Sequence, residues 1–209
     1  MPRPRFLRMP ADRRLRLLDE AAREFGRHGF ERASLNRILE AAGVSKGAAY
    51  YYFENKADLF AAVVDHYWEE VQQESGLDLA ALTAATFWDR LATFGETAMR
   101  RAVSTPWMNG VARAIWTLPP RARSEGRLKD IFARTQSFLA GLLQRGRELG
   151  VVRADVPMDL QMAMVLAIDQ ASDRWMADHL PGMEPADIET LFRALFQAIR
   201  RLLEPEVAR

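Results

Sequence analysis

The fold is decided by residues 34–53, whose sequence is SLNRILEAAGVSKGAAYYYF. Ser34 and Ser45 each precede a short segment with apolar residues at helical spacing, and serine is a preferred N-cap residue of an α-helix. Between the two segments, Gly43 can adopt the positive φ of a tight turn, and Val44 can fill the angle between the helices. Two short helices joined in this way are typical of a helix-turn-helix, whose second helix enters the major groove of DNA.

Helical periodicity continues on both sides of this segment, and strand patterns are nearly missing. A first helix is predicted from an apolar stripe at Leu15, Leu18, Ala22 and Phe25, and Gly29 is its expected end. Asn55 is the expected N-cap of a fourth helix that starts at Lys56. Prolines and glycines divide the remainder into longer predicted helices at Leu79–Val103, Trp107–Leu118, Arg121–Leu149, Met158–His179 and Pro185–Leu203.

The pattern therefore predicts an all-α protein of about nine helices. An N-terminal three-helix helix-turn-helix domain is expected at residues 1–55, with a basic arm at residues 1–10. A C-terminal helical bundle for ligand binding and dimerisation is expected at residues 56–209.

Composition restricts the classes of function that need to be considered. The chain has no cysteine, which excludes disulfides, thiolate metal sites and a cysteine nucleophile, and it suits the reducing cytoplasm that we expect as its location. No secretory signal is expected, and the richest apolar stretch, Met162–Ile168, is far too short to span a bilayer. Residues 1–60 carry 12 Lys and Arg against 8 Asp and Glu, whereas residues 61–209 carry 17 against 20. This asymmetry favours a polyanion as the partner of the first part.

The predicted third helix has the features of a surface that approaches DNA. It opens with Ser45, Lys46, Gly47 and Ala48, residues small enough at its N-terminus to let the backbone come close to base edges. Free N–H groups at a helix N-terminus also favour phosphate. The tyrosines at positions 50–52 cannot all face one way, so at least one packs inward and at least one can donate its hydroxyl to a phosphate.

Taken together, these residues resemble the DNA-binding domain of the TetR family of regulators. The resemblance runs from about Arg14 to Val63. It includes residues 17–22 with Phe25, the pair Gly29-Phe30, residues 42–47, Tyr50 with Tyr52-Phe53, and Lys56 with Leu59-Phe60. The resemblance implies a repressor or, less often, an activator that acts as a homodimer, with a C-terminal domain that senses a ligand.

The resemblance also implies roles for individual residues. Phosphate contacts fall on Ser45, Lys46, Tyr50 and Lys56, and base contacts fall on Gly47, Ala48 and Tyr51; Ser34 completes the predicted DNA-binding set. Tyr52 and Phe53 are implied to pack the third helix on the first and fourth. Position 49 departs from the family because it is Ala where a larger aliphatic residue is more usual. The arginines at positions 3, 5 and 8 are either a minor-groove arm or a solvated tail.

The last two helices carry wide apolar stripes that favour a dimer. In the family, the corresponding helices pair with their symmetry mates, and a dimer also matches a palindromic operator. The alternative is that one stripe packs only within the monomer. The residues predicted at the dimer interface are Met162, Leu166, Met176, Leu191, Phe192, Leu195 and Ile199.

The middle helices carry more aromatic and methionine side chains than a minimal bundle needs. Such side chains line adaptable apolar cavities, so a hydrophobic or aromatic effector is expected. The predicted ligand-binding residues are Trp88, Phe94, Trp107, Met108, Trp116, Phe138 and Asp169. Asp169 and Asp173 lie one turn apart and either attract a cationic ligand or pair with an arginine such as Arg174 or Arg113; the ion pair is favoured, since a buried carboxylate needs a partner.

Enzyme motifs were not found, and neither a metal nor another cofactor is expected. His66 and Glu70 are one turn apart, but two ligands are too few for a metal site. The leading hypothesis is a repressor that binds a palindromic operator as a homodimer and is released by a small molecule. The alternative is an architectural, chromosome-organising protein of the same fold that binds a protein partner. A third possibility is an enzyme or small-molecule binder unconnected to DNA.

Overall fold

A computed structural model describes residues 4–105 and 107–206, so Arg3 of the expected basic arm lies outside the described residues. Over this part of the chain the structure has eleven α-helices, one 3₁₀ turn at Leu180–Gly182 and no strand, which confirms the all-α prediction. The helices are α1 (Pro4–Leu7), α2 (Ala11–Arg32), α3 (Leu35–Ala42), α4 (Lys46–Tyr52), α5 (Lys56–Ser75), α6 (Phe87–Ser104), α7 (Trp107–Trp116), α8 (Pro120–Ser124), α9 (Gly126–Glu148), α10 (Met158–His179) and α11 (Pro185–Leu203).

The chain folds into two compact units. Unit 1 comprises residues 1–70 and 105–133, and unit 2 comprises residues 71–104 and 134–209. The helix-turn-helix therefore shares its compact unit with α7, α8 and the start of α9, which follow it in sequence by more than fifty residues. The predicted boundary after residue 55 separates a DNA-binding domain from a ligand-binding and dimerisation domain. It divides the chain by function rather than by compactness, and it stays a prediction.

The core of unit 1 is built around α2. Phe25 is fully buried, and its ring lies edge-on to that of Phe60 of α5, with 4.8 Å between the centroids. Leu17 and Leu18 of the same helix are also buried. Leu15, which was predicted to belong to this stripe, is instead 44% exposed, because the buried side of α2 is centred two to three residues later.

The helix-turn-helix forms as the sequence predicts. Ser34 Oγ accepts the Arg37 N–H at 3.4 Å, and Ser45 Oγ accepts the Ala48 N–H at 3.3 Å, so both serines are N-caps. Gly43 ends α3 with a φ of 68°. The Val44 N–H then donates to the Leu39 carbonyl at 2.8 Å, which closes the Schellman-type end of α3.

Helix α7 crosses α2 at a pair of glycines. A Cβ atom on Gly110 would overlap the carbonyl oxygen of Gly26, and one on Gly26 would lie 2.7 Å from the carbonyl oxygen of Trp107. The two backbones can approach this closely only because neither position has a side chain. The crossing brings Val111 and Ala114 into the core of unit 1.

Unit 2 has its own core, formed by α6, α9 and α11 together with the loop after α9. Phe87, Leu143 and Val152 are buried at its centre, and Phe196 of α11 packs against them. The predicted helix start at Leu79 is wrong, because Asp78 Oδ1 accepts the Ala80 N–H and Thr86 Oγ1 accepts the Thr83 N–H. These side-chain hydrogen bonds hold residues 78–86 in turns, and α6 begins only at Phe87.

The predicted single helix Arg121–Leu149 is also divided. Glu125 is extended, and Gly126 follows with a φ of 58°, so α8 and α9 are separate helices. A left-handed glycine conformation ends a helix rather than continuing it.

We predict that Gly110→Ala destabilises the protein by about 1–3 kcal/mol, because the new methyl group would have to displace the α2 backbone. Gly47→Ala is the matched control within unit 1, since a Cβ there meets no atom within 4 Å. It should leave stability unchanged or raise it by up to about 1 kcal/mol. Urea unfolding measures both changes. Equal stabilities for the two variants would contradict a close backbone contact at Gly110.

Candidate functional site

Helix α4 presents a continuous solvent-exposed side. Tyr50 and Tyr51 are 66% and 48% exposed, and Lys46 and Gly47 are exposed on the same side, one turn earlier. Ala49 on the opposite side is buried. Because Ala49 is fixed in the core, α4 cannot rotate about its axis, and the side that carries Lys46, Gly47, Tyr50 and Tyr51 faces solvent.

The aromatic residues at the end of α4 hold it in place. Phe53 is buried, and Tyr52 packs partly buried against the core of unit 1. One tyrosine of the three therefore faces inward and two face outward, as the helical spacing of about 100° per residue requires. The alanine at position 49, where the TetR resemblance would favour a larger side chain, is buried and belongs to the core of unit 1.

One carboxylate, that of Glu24 in α2, binds both the start of α3 and a side chain within it. Glu24 Oε1 accepts the Ser34 backbone N–H at 2.8 Å and the Arg37 Nε–H at 3.0 Å. Burial acts to raise the pKa of Glu24, but the hydrogen bonds from Arg37 and Ser34 outweigh it and lower the pKa below its ordinary value. The carboxylate therefore stays ionised and holds the first helix of the motif against the helix behind it.

Two predicted DNA-binding residues are engaged inside the protein. Lys56 Nζ donates to the carbonyl oxygens of Glu31 at 2.8 Å and Ala33 at 3.2 Å, and it lies 4.9 Å from the centre of the Phe30 ring. Ser34 is partly buried at the N-cap of α3. The exposed side of α4 thus carries Lys46, Gly47, Tyr50 and Tyr51, with Ser45 exposed at its N-cap and Ala48 partly buried. Lys56 and Ser34 are partly buried and belong to other elements of unit 1.

Sequence reasoning missed Arg16. Its Nη2 atom donates to the Ala41 carbonyl oxygen at 3.0 Å, next to the turn between α3 and α4, while the side chain stays exposed. A basic residue in the first turns of α2 was visible in the sequence, but its approach to residue 41 depends on how α2 and α3 pack.

The predicted ligand-binding residues divide between the two units. Trp107, Met108 and Trp116 belong to unit 1, where Met108 is buried and Trp107 packs against the core. Trp88 belongs to the core of unit 2, edge-on to Phe87 at 5.0 Å. The other predicted residues of unit 2 are partly buried or exposed: the ring centroids of Phe94 and Phe138 are 5.8 Å apart, and Asp169 lies in α10.

Asp169 lies on the same side of α10 as Met162 and Val165, which pack against the core of unit 2. The side chain retains accessible surface, yet the surrounding protein removes much of its hydration. This desolvation, together with the negative charge of Asp173, raises the pKa of Asp169 to about 7. The side chain is exposed at the surface of unit 2, and a carboxyl group with this pKa can change its charge near neutral pH.

The predicted dimer residues mostly face their own unit. Met162, Leu166 and Ile199 pack against the core of unit 2, and Phe192 lies over Gly95 of α6. The remaining members, Met176, Leu191 and Leu195, are partly buried. The opposite side of α10 is exposed and apolar, with Leu160 at 51%, Trp175 at 44%, and Ala163, Ala167 and Ala171 between them.

No helix of the described residues is long and apolar enough to cross a lipid bilayer. No three His, Asp or Glu side chains of the described part of the chain are grouped so that they could hold a metal ion.

Comparison with known proteins agrees with this geometry. The family model described as "Bacterial regulatory proteins, tetR family" matches residues 17–63. Over 156 residues the chain is 30% identical to the HTH-type transcriptional repressor AcnR of Corynebacterium diphtheriae. This alignment covers 71% of this chain and 72% of AcnR. The chain is 26% identical over 197 residues to an HTH-type transcriptional repressor of Mycobacterium tuberculosis, covering 91% and 95% of the two chains.

The fold also matches that of a solved structure. The transcriptional regulator FadR from Bacillus subtilis, in complex with stearoyl-CoA, superposes with a TM-score of 0.70 at 17% identity over 88% of this chain and 96% of that chain. The fold and the exposed side of α4 define a helix-turn-helix transcriptional regulator. The chain belongs to the TetR family of bacterial regulatory proteins.

The pKa of Asp169 leads to a prediction for stability. Its ordinary value is 3.8 and its folded value is about 7, so between these pH values the folded state binds more protons than the unfolded state. Stability therefore falls as pH rises through this range. We predict that Asp169→Asn removes the effect, so that its Tm relative to wild type is higher at about pH 8 than at about pH 5.

Asp159→Asn is the matched control, because this exposed carboxylate lies in the first turn of the same helix. Its Tm difference from wild type should be the same at both pH values. If Asp169→Asn behaved like this control, the Asp169 carboxyl would be hydrated like an ordinary surface group.

Proposed function

We propose that the protein is a homodimeric repressor that binds a palindromic operator and is released by a small apolar or aromatic effector. The observation that supports DNA binding most directly is the exposed side of α4, which carries Lys46 and Gly47 in one turn and Tyr50 and Tyr51 in the next. On this proposal α4 is the helix that enters the major groove.

The residues of α4 have different expected roles. Lys46, close to the start of the helix, supplies a positive charge to a phosphate, and the Tyr50 hydroxyl is a second phosphate donor. Gly47 leaves open space above the backbone, so bases can come close there, and Tyr51 faces their edges. We assign Lys56 an indirect role, because its ammonium group already binds the carbonyl oxygens at the end of α2.

The exposed side of helix α10 is the feature that supports the proposal of a dimer. Residues 162–168 of this helix are apolar without exception, and one side of the helix packs on unit 2 while the opposite one, from Leu160 to Trp175, is exposed in the single chain. A helix that is apolar all round is normally buried, so the exposed side needs a partner. We propose that this side of α10, together with α11, contacts a second copy of the chain.

The effector is proposed to bind in unit 2. Phe94 and Phe138 are partly buried neighbours there, and Asp169 supplies an ionisable group whose charge its surroundings disfavour. Apolar surface with few polar groups is typical of ligand sites. The stearoyl-CoA bound by FadR of Bacillus subtilis has a long apolar chain, which agrees with this class of ligand.

Release requires that the effector bind one conformer more tightly than the other, because equal affinity for both would shift nothing. Helix α5 is the proposed lever. It follows α4 directly, and its residues belong to unit 1 as far as Glu70 and to unit 2 from Val71. A shift of this helix would change the spacing of the two α4 helices in the dimer.

The proposal is tested by DNA binding as a function of salt. Duplexes enriched from fragments of the source genome are titrated with wild type and with Lys46→Ala, and the dissociation constant is followed by fluorescence anisotropy. Loss of one phosphate contact should weaken binding to every duplex and lower the salt slope by about 1. Lys129→Ala is the control, since it removes an exposed cation of unit 1 outside the helix-turn-helix and should leave the slope unchanged.

Two results would contradict the proposal in different ways. An unchanged slope in Lys46→Ala would remove this residue from the phosphate contacts. Enrichment of many unrelated genomic sites far from promoters would favour the architectural alternative over an operator-specific repressor.

A further inference from the structure

The N-terminal helix α1 is anchored on the recognition helix α4. Phe6 is 3% exposed, and its ring centroid lies 4.8 Å from that of Phe53 and 6.5 Å from that of Tyr52. The carbonyl oxygen of Leu7 accepts a hydrogen bond from Arg14 Nη1 at 3.0 Å. A single helical turn has little stability of its own, so the ring contacts of Phe6 hold α1 against the end of α4, and the Arg14 hydrogen bond joins it to α2.

This anchor carries Arg5 to the exposed side of α4. The guanidinium carbon of Arg5 lies 4.0 Å from the centre of the Tyr51 ring. The Tyr52 ring is edge-on to the Tyr51 ring at 5.6 Å. Tyr51 is thus in contact with a cation and with a partly buried aromatic ring, although about half of its surface is exposed.

We propose that Arg5 is a positioning residue that determines operator specificity by holding the Tyr51 ring in the orientation that contacts bases. The inference rests on the proposed function of α4 in DNA binding. A phenol ring on an exposed helix side has several rotamers, and ordering it on binding costs free energy. A guanidinium group over the ring face restricts those rotamers before DNA arrives, because the planar cation is attracted to the aromatic face.

If Arg5 positions the Tyr51 ring, its removal changes specificity for the operator, whereas removal of a phosphate contact changes only the affinity for DNA. A phosphate contact raises the affinity for every duplex equally, whereas the orientation of a base-contacting ring matters only where the correct bases are present. The quantity to measure is therefore the ratio of the dissociation constants for a scrambled duplex and for the enriched operator duplex. Arg5→Ala should lower this ratio about 2- to 5-fold, the size expected of an exposed cation–π contact.

Arg8→Ala is the matched control. Arg8 is exposed in the same N-terminal segment and carries the same charge. Its removal should weaken binding to both duplexes by the same factor and leave the ratio unchanged. Circular dichroism and Tm of each variant confirm that the fold is retained, which is expected because both side chains are exposed.

A double-mutant cycle tests whether Arg5 acts through Tyr51. Tyr51→Ala should itself lower the ratio, and adding Arg5→Ala to it should lower the ratio no further, because the ring that Arg5 positions is gone. Additive losses in the double variant would overturn the proposal and leave Arg5 with an independent DNA contact. An Arg5→Ala variant with an unchanged ratio would overturn it as well.

The outcomes separate this proposal from the function on which it rests. If wild type binds no duplex in a salt-dependent manner, both fail. If wild type prefers its operator and the two substitutions are additive, DNA binding by α4 stands and only the role of Arg5 is overturned.

Discussion

Burial of one side of α4 is the constraint on which the rest of unit 1 depends. Ala49 and Phe53 are in the core, and they fix the rotation of a helix too short to be stable alone. The side that carries Lys46, Tyr50 and Tyr51 must then face solvent. Ala49 and Phe53 share this core with buried side chains of α2, α3 and α5, among them Leu17, Ile38 and Leu59, so burial on one side of α4 sets the direction of its exposed side.

The same core links α4 to parts of the chain that follow much later. Helix α7 reaches α2 through a glycine contact, and Arg127 of α9 forms a 2.7 Å ion pair with Asp65 of α5 and donates to the Asp58 carbonyl oxygen. A change in the position of α7 or of the start of α9 must therefore be accommodated by α2 and α5. In a repressor this is a physical route by which the recognition helix can respond to events elsewhere in the chain.

Local signals were sufficient to predict the helix-turn-helix. The serine caps, the left-handed Gly43 and the spacing of the tyrosines act within a few residues, and the structure has each of them where the sequence indicates. Other features depend on contacts between distant residues. Lys56 lies beside the carbonyl oxygens of residues 31 and 33 because α2 and α5 pack together, which no local pattern shows.

Helix α10 shows a second limit of the sequence. Residues 162–168 are apolar without exception, so periodicity predicts a helix there but does not show which side packs on the same chain. Met162 and Leu166 are partly buried against the core of unit 2, and their part in a dimer stays a prediction. Helix α1 was missed for the opposite reason, since four residues beside two prolines have no detectable period. Only the burial of Phe6 reveals that the basic segment is a helix attached to α4.

The most direct test of α4 as the DNA-reading surface is hydrogen–deuterium exchange of the full chain with and without its enriched operator duplex. Binding through this surface should slow exchange of the backbone amides in residues 45–52. Exchange of the backbone amides of α10 should be the same with and without DNA. Unchanged exchange in residues 45–52, with protection confined to other helices, would contradict the assignment.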